Sequence, residues 1–411
     1  MSTFQQSLNS YADLIVQVGV KVQPGQRLVV NATIDAAELV RSIVQKAYEA
    51  GAYLVKVNWT DDTVSRLRYD LAPDESFLEE PKWYAAEMLE WAEGGTLAVV
   101  SIVSSDPDLL KGVPQQRIMN YQKTYGQAMA KYRQYMQSDK FSWCVVAAPS
   151  KAWAAKVFPG LPEEEQLSKL WEAILKTVRI DQENPVSAWE THIQSLNQRS
   201  DYLNAKKYKK LHYAAPGTDL TIELPEGHIW VAADSINEQG TAFVANMPTE
   251  EVFTAPLATG VNGTVSSTKP LSYGGTLIDG FSFTFENGRI VSVSARQGEE
   301  ALKSLVAMDE GSHYLGEVAL VPHRSPISES GILYYNTLFD ENASNHLAIG
   351  SAYAFCLEGG KGLSQDELKA KGLNTSITHV DFMIGSAEMD IYGITADGKE
   401  EPVFQKGNWA F

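Results

Sequence analysis

A strand, a helix and a second strand follow one another near the start of this chain with almost nothing between them. QPGQRLVVNAT reads as a turn and a short apolar run. AAELVRSIVQKAYEAG reads as a helix that Asp35 would cap and Gly51 would end, and YLVKVNWTD as another strand. Strand, helix, strand with short connections is a βαβ unit, and such units imply a parallel sheet. An amphipathic helix precedes the unit, with Phe4, Leu8, Tyr11, Ala12, Ile15 and Val18 at helical spacing. The pattern then recurs. Ser76–Ala92 reads as helical, GGTLAVVSIVSS as a strand, SWCVVAAPS as a later strand followed by KAWAAKVFPG, and the run from Pro162 to about Lys207 as helical. Residues 1–210 are therefore expected to form an open α/β layer domain with a parallel sheet.

From Leu211 the texture changes. TDLTIELPEG, HIWVAAD, GTAFVANMPTEEVFTAP, GTLIDGFSFTFENGRIVSVSA and YLGEVALVP read as strands broken by Gly, Pro and Asn, and Asn287-Gly288 marks a two-residue hairpin. Residues 211–411 are expected to form a β-rich α+β domain. Between the two, Lys206, Lys207, Lys209 and Lys210 make the one dense basic cluster, read as a solvated helix end.

Length supports this division, because 411 residues exceed what one core usually serves. The formal net charge is −17, a surface that repels phosphate backbones and anionic headgroups, so neither nucleic acid nor membrane is an expected partner. Two cysteines, Cys144 and Cys356, are too few for a disulfide scaffold. The first residues lack a basic segment followed by a continuous apolar one, and runs such as Leu97–Val103 are short for a bilayer, so the expectation is a soluble, cytoplasmic protein.

No GxGxxG follows the first strand, and neither a GxxxxGK[ST] loop nor a GxSxG elbow occurs, so nucleotide and serine-hydrolase chemistry have no foothold. The C-terminal third offers more. In HVDF, His379 and Asp381 leave the same face of a strand, as two metal ligands or as a hydrogen-bonded pair. In YLGEVALVP, Leu315, Glu317 and Ala319 would share one face, with Glu317 either buried and partnered or facing water at a sheet edge. In NTLFDENASNHLAIGSAYAFCLEGG, Ser344 or Asn345 would cap a helix from about His346 to Leu357, ended by Gly359-Gly360. On that helix His346 and Tyr353 would lie two turns apart on one face, with Asp340 and Glu341 in the loop before it. Tyr353 could then donate to a developing oxyanion, or simply pack in the core. In NMPTEEVFTAP, Glu250 and Glu251 diverge, so one could bind a metal while the other acts as general base; two exposed turn glutamates are the plainer reading.

Together these residues make a set. A two-metal hydrolase needs about five or six carboxylate and imidazole ligands, and Glu251, Glu317, Glu341, His346, His379 and Asp381 would supply them. Oxygen and nitrogen donors without thiolate suit Zn, Co, Mn or Mg. The same ligands could serve a peptidase, a hydrolase of another amide or ester, or a metal-stabilised binding protein. No Arg/Lys clamp accompanies them beyond Arg324 and Lys361, which disfavours a phosphate substrate.

NMPTEEVFTAP, LGEVALVP, NTLFDENASNHLAIGSAY and HVDFMIGS, in this order, resemble the signature blocks of the aminopeptidase T, AmpS and PepS family of metallopeptidases, and the likeness extends along the whole chain. The resemblance implies a cytoplasmic, dimeric exopeptidase that removes N-terminal amino acids from peptides with two divalent ions per subunit. It implies metal ligation by one glutamate of the Glu250–Glu251 pair, by Glu317, His346, His379 and Asp381, with Glu341 as a further ligand and Tyr353 catalytic. Our assignment takes Glu251 as the ligand and Glu250 as the general base. Asn345 departs from the family pattern, where a smaller or sulfur-containing residue is expected, but it is not a ligand.

Overall fold

A computed structural model describes residues 3–411. The chain forms two compact units. One runs through Gln194 and takes in Ala233–Thr249; the other comprises Ser195–Ala232 and Glu250–Phe411. The sequence reading drew a single border at 210/211. The structure returns residues 233–249 to the first unit because they hydrogen-bond to its sheet: Val145 N–H donates to the Ala245 carbonyl at 2.7 Å, and Met247 N–H to that of Val145 at 2.9 Å.

The first unit is built on four parallel strands, β1 (Arg27–Thr33), β2 (Leu54–Thr60), β3 (Leu97–Val103) and β4 (Ser142–Ala147), in the order β2-β1-β3-β4. Buried residues occupy both faces of β1, β3 and β4, as expected for parallel strands covered by helices. The opening helix, Phe4–Leu14, buries Leu8, Tyr11, Ala12 and Leu14, and the Tyr11 hydroxyl reaches the β4 backbone at Ala147. Two local readings change. Asp35 caps nothing: it lies in a 3-10 turn, Ile34–Ala36, and the helix Ala37–Glu49 starts after it. The run Ser76–Ala92 is not one helix. A 3-10 segment, Asp74–Leu78, precedes the helix Lys82–Glu93, because Pro81 cannot donate within a continuous helix and restricts the residue before it.

The second unit holds a nine-stranded antiparallel sheet and a smaller four-stranded one. In the large sheet Asn287 (φ 48°) and Gly288 (φ 83°) turn the hairpin between Thr276–Glu286 and Arg289–Gln297, as the sequence predicts. Of HIWVAAD only Asp234 joins a strand, Asp234–Ile236, while His228 and Val231 make isolated bridges. The basic cluster is half structural: Lys206 pairs with Glu401, Lys210 with Glu223, and Tyr208 between them is buried. The small sheet positions the site. It consists of β5 (Val252–Thr254), β6 (Leu315–Leu320), β7 (His346–Gly350) and β8 (His379–Met383), antiparallel in the order β8-β7-β6-β5.

Candidate metal centre

The largest correction lies here. His346 does not open a helix; it opens β7, and the chain makes only one 3-10 turn, Ala354–Cys356, before Leu357. His346 and Tyr353 therefore share no helical face. Strand pairing gathers the candidate ligands instead. Across the sheet Ala348 sits opposite Glu317 on β6 and opposite Asp381 on β8, while Gly350 sits opposite His379. Opposed residues of an antiparallel pair point to the same side, and so do alternate residues along a strand. Glu317, His346, His379 and Asp381 thus leave one face of the sheet, around the small side of Ala348 and the bare Gly350.

A bulge sharpens this arrangement. Leu315 pairs with Ile349 but Glu317 with Ala348, so Gly316 is the extra residue. A Cβ at Gly316 would lie 2.3 Å from the Gly350 carbonyl oxygen. The bulge turns Leu315 to the opposite face from Glu317, contrary to the alternation expected from sequence. β6 is also an interior strand, which removes the reading of Glu317 as a water-facing edge residue.

The side chains converge in two groups. Glu251, Glu317 and His346 each offer a ligand atom, all within 4.8 Å of one another; so do Glu317, His379 and Asp381. Glu317 belongs to both. His346 Nε2 lies 3.0 Å from Glu251 and 3.6 Å from Glu317, and His379 Nε2 lies 3.5 Å from Glu317 and 3.7 Å from Asp381. Glu251, Glu317, His346 and Asp381 are all buried. Each imidazole is oriented from behind, with Nδ1 at 3.1 Å from the Ser344 carbonyl for His346 and 2.7 Å from the Ser351 carbonyl for His379. If Nδ1–H donates to the carbonyl, Nε2 turns a lone pair toward carboxylates, the arrangement metal-binding histidines adopt.

The electrostatics call for a cation at this point. Glu251 Oε2, His346 Nε2 and Asp381 Oδ1 are buried without a hydrogen-bond partner, and burying bare carboxylates together costs several kcal/mol each. Burial drives the Glu317 carboxyl up to about 7, with Asp381 and Glu251 adding to the rise and His346 opposing it. Glu341 is pushed well above the carboxylate range by burial, then by Asp381 and Glu251. Burial lowers the His346 imidazole, but the Glu251 and Glu317 carboxylates outweigh it and hold it well above its ordinary value. All these shifts favour added positive charge, which divalent ions would deliver. The donor set, oxygen and nitrogen without sulfur, fits Zn, Co, Mn or Mg.

The remaining predicted residues are near but differently placed. Glu341 lies within the field of Glu251, Asp381, His346 and Glu317, yet joins neither ligand group. Glu250 is buried, and its backbone N–H donates to Asn342 Oδ1 at 2.7 Å. The Tyr353 ring meets His379 edge-on at 5.0 Å and stacks on Phe355 at 5.0 Å. Burial, followed by the field of Glu317 and Asp381, pushes its phenol upward, so it stays protonated. Sequence reasoning missed Asn342, which anchors Glu250 from one end of its amide and donates to the Leu338 carbonyl at 3.0 Å from the other. It missed Asp340 as a structural residue, whose carboxylate accepts the N–H groups of Tyr334 and Asn336. No periodicity marks either. Asn345 accepts the Val321 N–H at 2.8 Å and stays outside both ligand groups.

A family model described as thermophilic metalloprotease (M29) matches residues 4–409. The chain belongs to the M29 metalloprotease family. It is 61% identical to aminopeptidase AmpS of Bacillus subtilis (strain 168) over 100% of both chains. It is 41% identical to aminopeptidase T of Thermus thermophilus, again over 100% of both. The solved structure of wild-type AmpT from Thermus thermophilus superposes with a TM-score of 0.91 at 40% identity, covering 100% of each chain. This M29 chain is thus a peptidase, and the carboxylate–imidazole cluster is where its fold can hold metal.

Proposed function

We propose that this M29 chain is an aminopeptidase that hydrolyses N-terminal residues from peptides with two divalent ions, which Glu317 would help to hold together with the two groups it belongs to. One ion would be held by Glu251, Glu317 and His346, the other by Glu317, His379 and Asp381, with Glu341 available as a further ligand. The observation carrying this reading is that two ligand groups share one carboxylate. Relatives named aminopeptidase support the substrate class. Bound ions supply Lewis acidity and a water acidic enough to ionise near neutral pH.

The chain's own residues do the rest. Glu250, adjacent to a ligand and anchored through its backbone by Asn342, serves as general base and passes the proton to the leaving amine. Tyr353, kept protonated by burial, donates a hydrogen bond to the oxygen that becomes negative as the carbonyl turns tetrahedral. The Ser344 and Ser351 carbonyls keep both imidazoles in orientation. Among the described residues no helix is long and apolar enough to cross a membrane. We further infer, from the family resemblance, a cytoplasmic homodimer acting on peptides with a free N-terminus. The test is release of p-nitroaniline from aminoacyl-p-nitroanilides, abolished by chelation and restored by Co²⁺, Zn²⁺, Mn²⁺ or Mg²⁺. Full turnover after exhaustive metal removal would refute the proposal.

A further inference from the structure

We propose that the parallel-sheet unit carries a second binding site, a cavity for a small neutral aromatic molecule that bears a hydrogen-bond acceptor. None of the metal-cluster residues contributes to it. The cavity has a volume of about 160 Å³ and is floored by Asn31, Ser101 and Trp143. Asn31 and Ser101 face each other in register on β1 and β3, in the carboxyl halves of both strands. The strand order β2-β1-β3-β4 reverses between those two strands. Ligands of open α/β sheets gather where the order reverses, toward the carboxyl ends of the strands. A polar row runs across this point: Asn58 donates to Asn31 at 3.0 Å, and Asn31 to Ser101 at 3.4 Å. All three side chains are half-buried, and Asn58 lies on the edge strand β2, so the row gives the cavity a polar rim.

Three phenols, Tyr84, Tyr125 and Tyr132, stand over the floor. Burial pushes each of them above the ordinary tyrosine value, so all three remain neutral hydroxyls. Trp143 is 7% exposed, and its indole N–H has no acceptor. A buried donor without an acceptor is costly, and an acceptor arriving with a ligand removes that cost. Size and charge narrow the ligand. The volume matches the roughly 150 Å³ of an apolar cavity that takes up benzene. Among the described residues no Asp, Glu, Lys, Arg or His lines the space, which excludes a zwitterionic amino acid, a peptide terminus or a phosphate.

The probes are phenol, benzene and benzoate, titrated into full-length protein labelled at its methionine methyl groups. Met88, Met129 and Met136 line the cavity, whereas Met308 and Met383 belong to the other unit. Phenol is expected to shift the first three methyl resonances saturably and leave the other two in place. It should bind about 5- to 10-fold tighter than benzene, the worth of one neutral hydrogen bond, and benzoate should not bind. Trp143→Phe, which removes the unpaired N–H, should reduce the preference for phenol over benzene. Absence of saturable shifts at the three methyls, or benzoate binding as tightly as phenol, would overturn the proposal. So would a folded Trp143→Phe protein whose phenol preference is undiminished. If that variant does not fold, the ranking of the three probes on the unaltered protein decides.

Discussion

His346 Nε2 lies 3.0 Å from Glu251 Oε2, although the opposite nitrogen of the same ring is already engaged by the Ser344 carbonyl. The two buried atoms lack the alignment of a hydrogen bond. An imidazole lone pair and a carboxylate this close repel unless positive charge stands between them. Chelation should therefore abolish activity and also lower the melting temperature, since an ion present at about 100 times its Kd stabilises by about 2.7 kcal/mol. Calorimetry with and without chelator, and after Zn²⁺ or Co²⁺ is restored, checks both.

Ligand and base separate by metal content. Glu251→Gln should lose bound metal together with activity. Glu250→Gln should keep its metal while kcat falls about 100- to 10,000-fold, the usual worth of a general base. Elemental analysis beside kinetics distinguishes them; metal loss in Glu250→Gln alone would reverse the two roles.

His379 is held at Nδ1 by the Ser351 carbonyl and presents Nε2 to Glu317 and Asp381. His379→Ala should leave the circular dichroism spectrum unchanged and lower activity at least about 100-fold, because the Glu317–His379–Asp381 group would lose its one nitrogen donor. Normal turnover would remove the residue from the site.

Tyr353→Phe keeps the ring contacts with Phe355 and His379 and removes only the hydroxyl. Its kcat should fall about 100- to 1,000-fold with KM little changed, as for loss of one oxyanion donor. Steady-state kinetics on one p-nitroanilide suffices. A change confined to KM would make the phenol a substrate contact.

Far from the chemistry, Lys206, Lys399 and Tyr208 all donate to Glu401 and hold its carboxyl near 2, against an ordinary value of 4.5. A depressed acid stabilises the fold above its unfolded pKa and loses that contribution as pH falls through the folded one. Stability should decline between pH 4.5 and about 2, and Glu401→Gln should flatten that part of the curve. Denaturant melts across the range test it.

Much of this was legible from local pattern. The βαβ opening, the Asn287-Gly288 hairpin and the His379–Asp381 pair rest on short-range rules, and the structure contains all three. The segment His346–Leu357 misled because a short apolar run carries no clear period, and its Asn and Ser resemble a helix cap. Hydrogen bonds to β6 and β8, formed by residues some 30 positions away on either side, make it a strand. Asp35 failed as a cap and Ser76–Ala92 as one helix for the opposite reason: local signals were present, but a 3-10 turn and Pro81 intervened.

By itself the sequence determined the chemistry available to this protein: which carboxylates and imidazoles stand in its C-terminal half, with Cys356 the one thiol among them, and that a parallel sheet opens the chain. Only the tertiary structure decided which of those groups meet. The register of β6, β7 and β8 sets Glu317 and Asp381 on either side of Ala348, and a bulge at Gly316 turns Glu317 to that face. Register is a pairing between distant strands, and a slip of one residue sends every side chain to the other face. No local stretch of sequence contains that information.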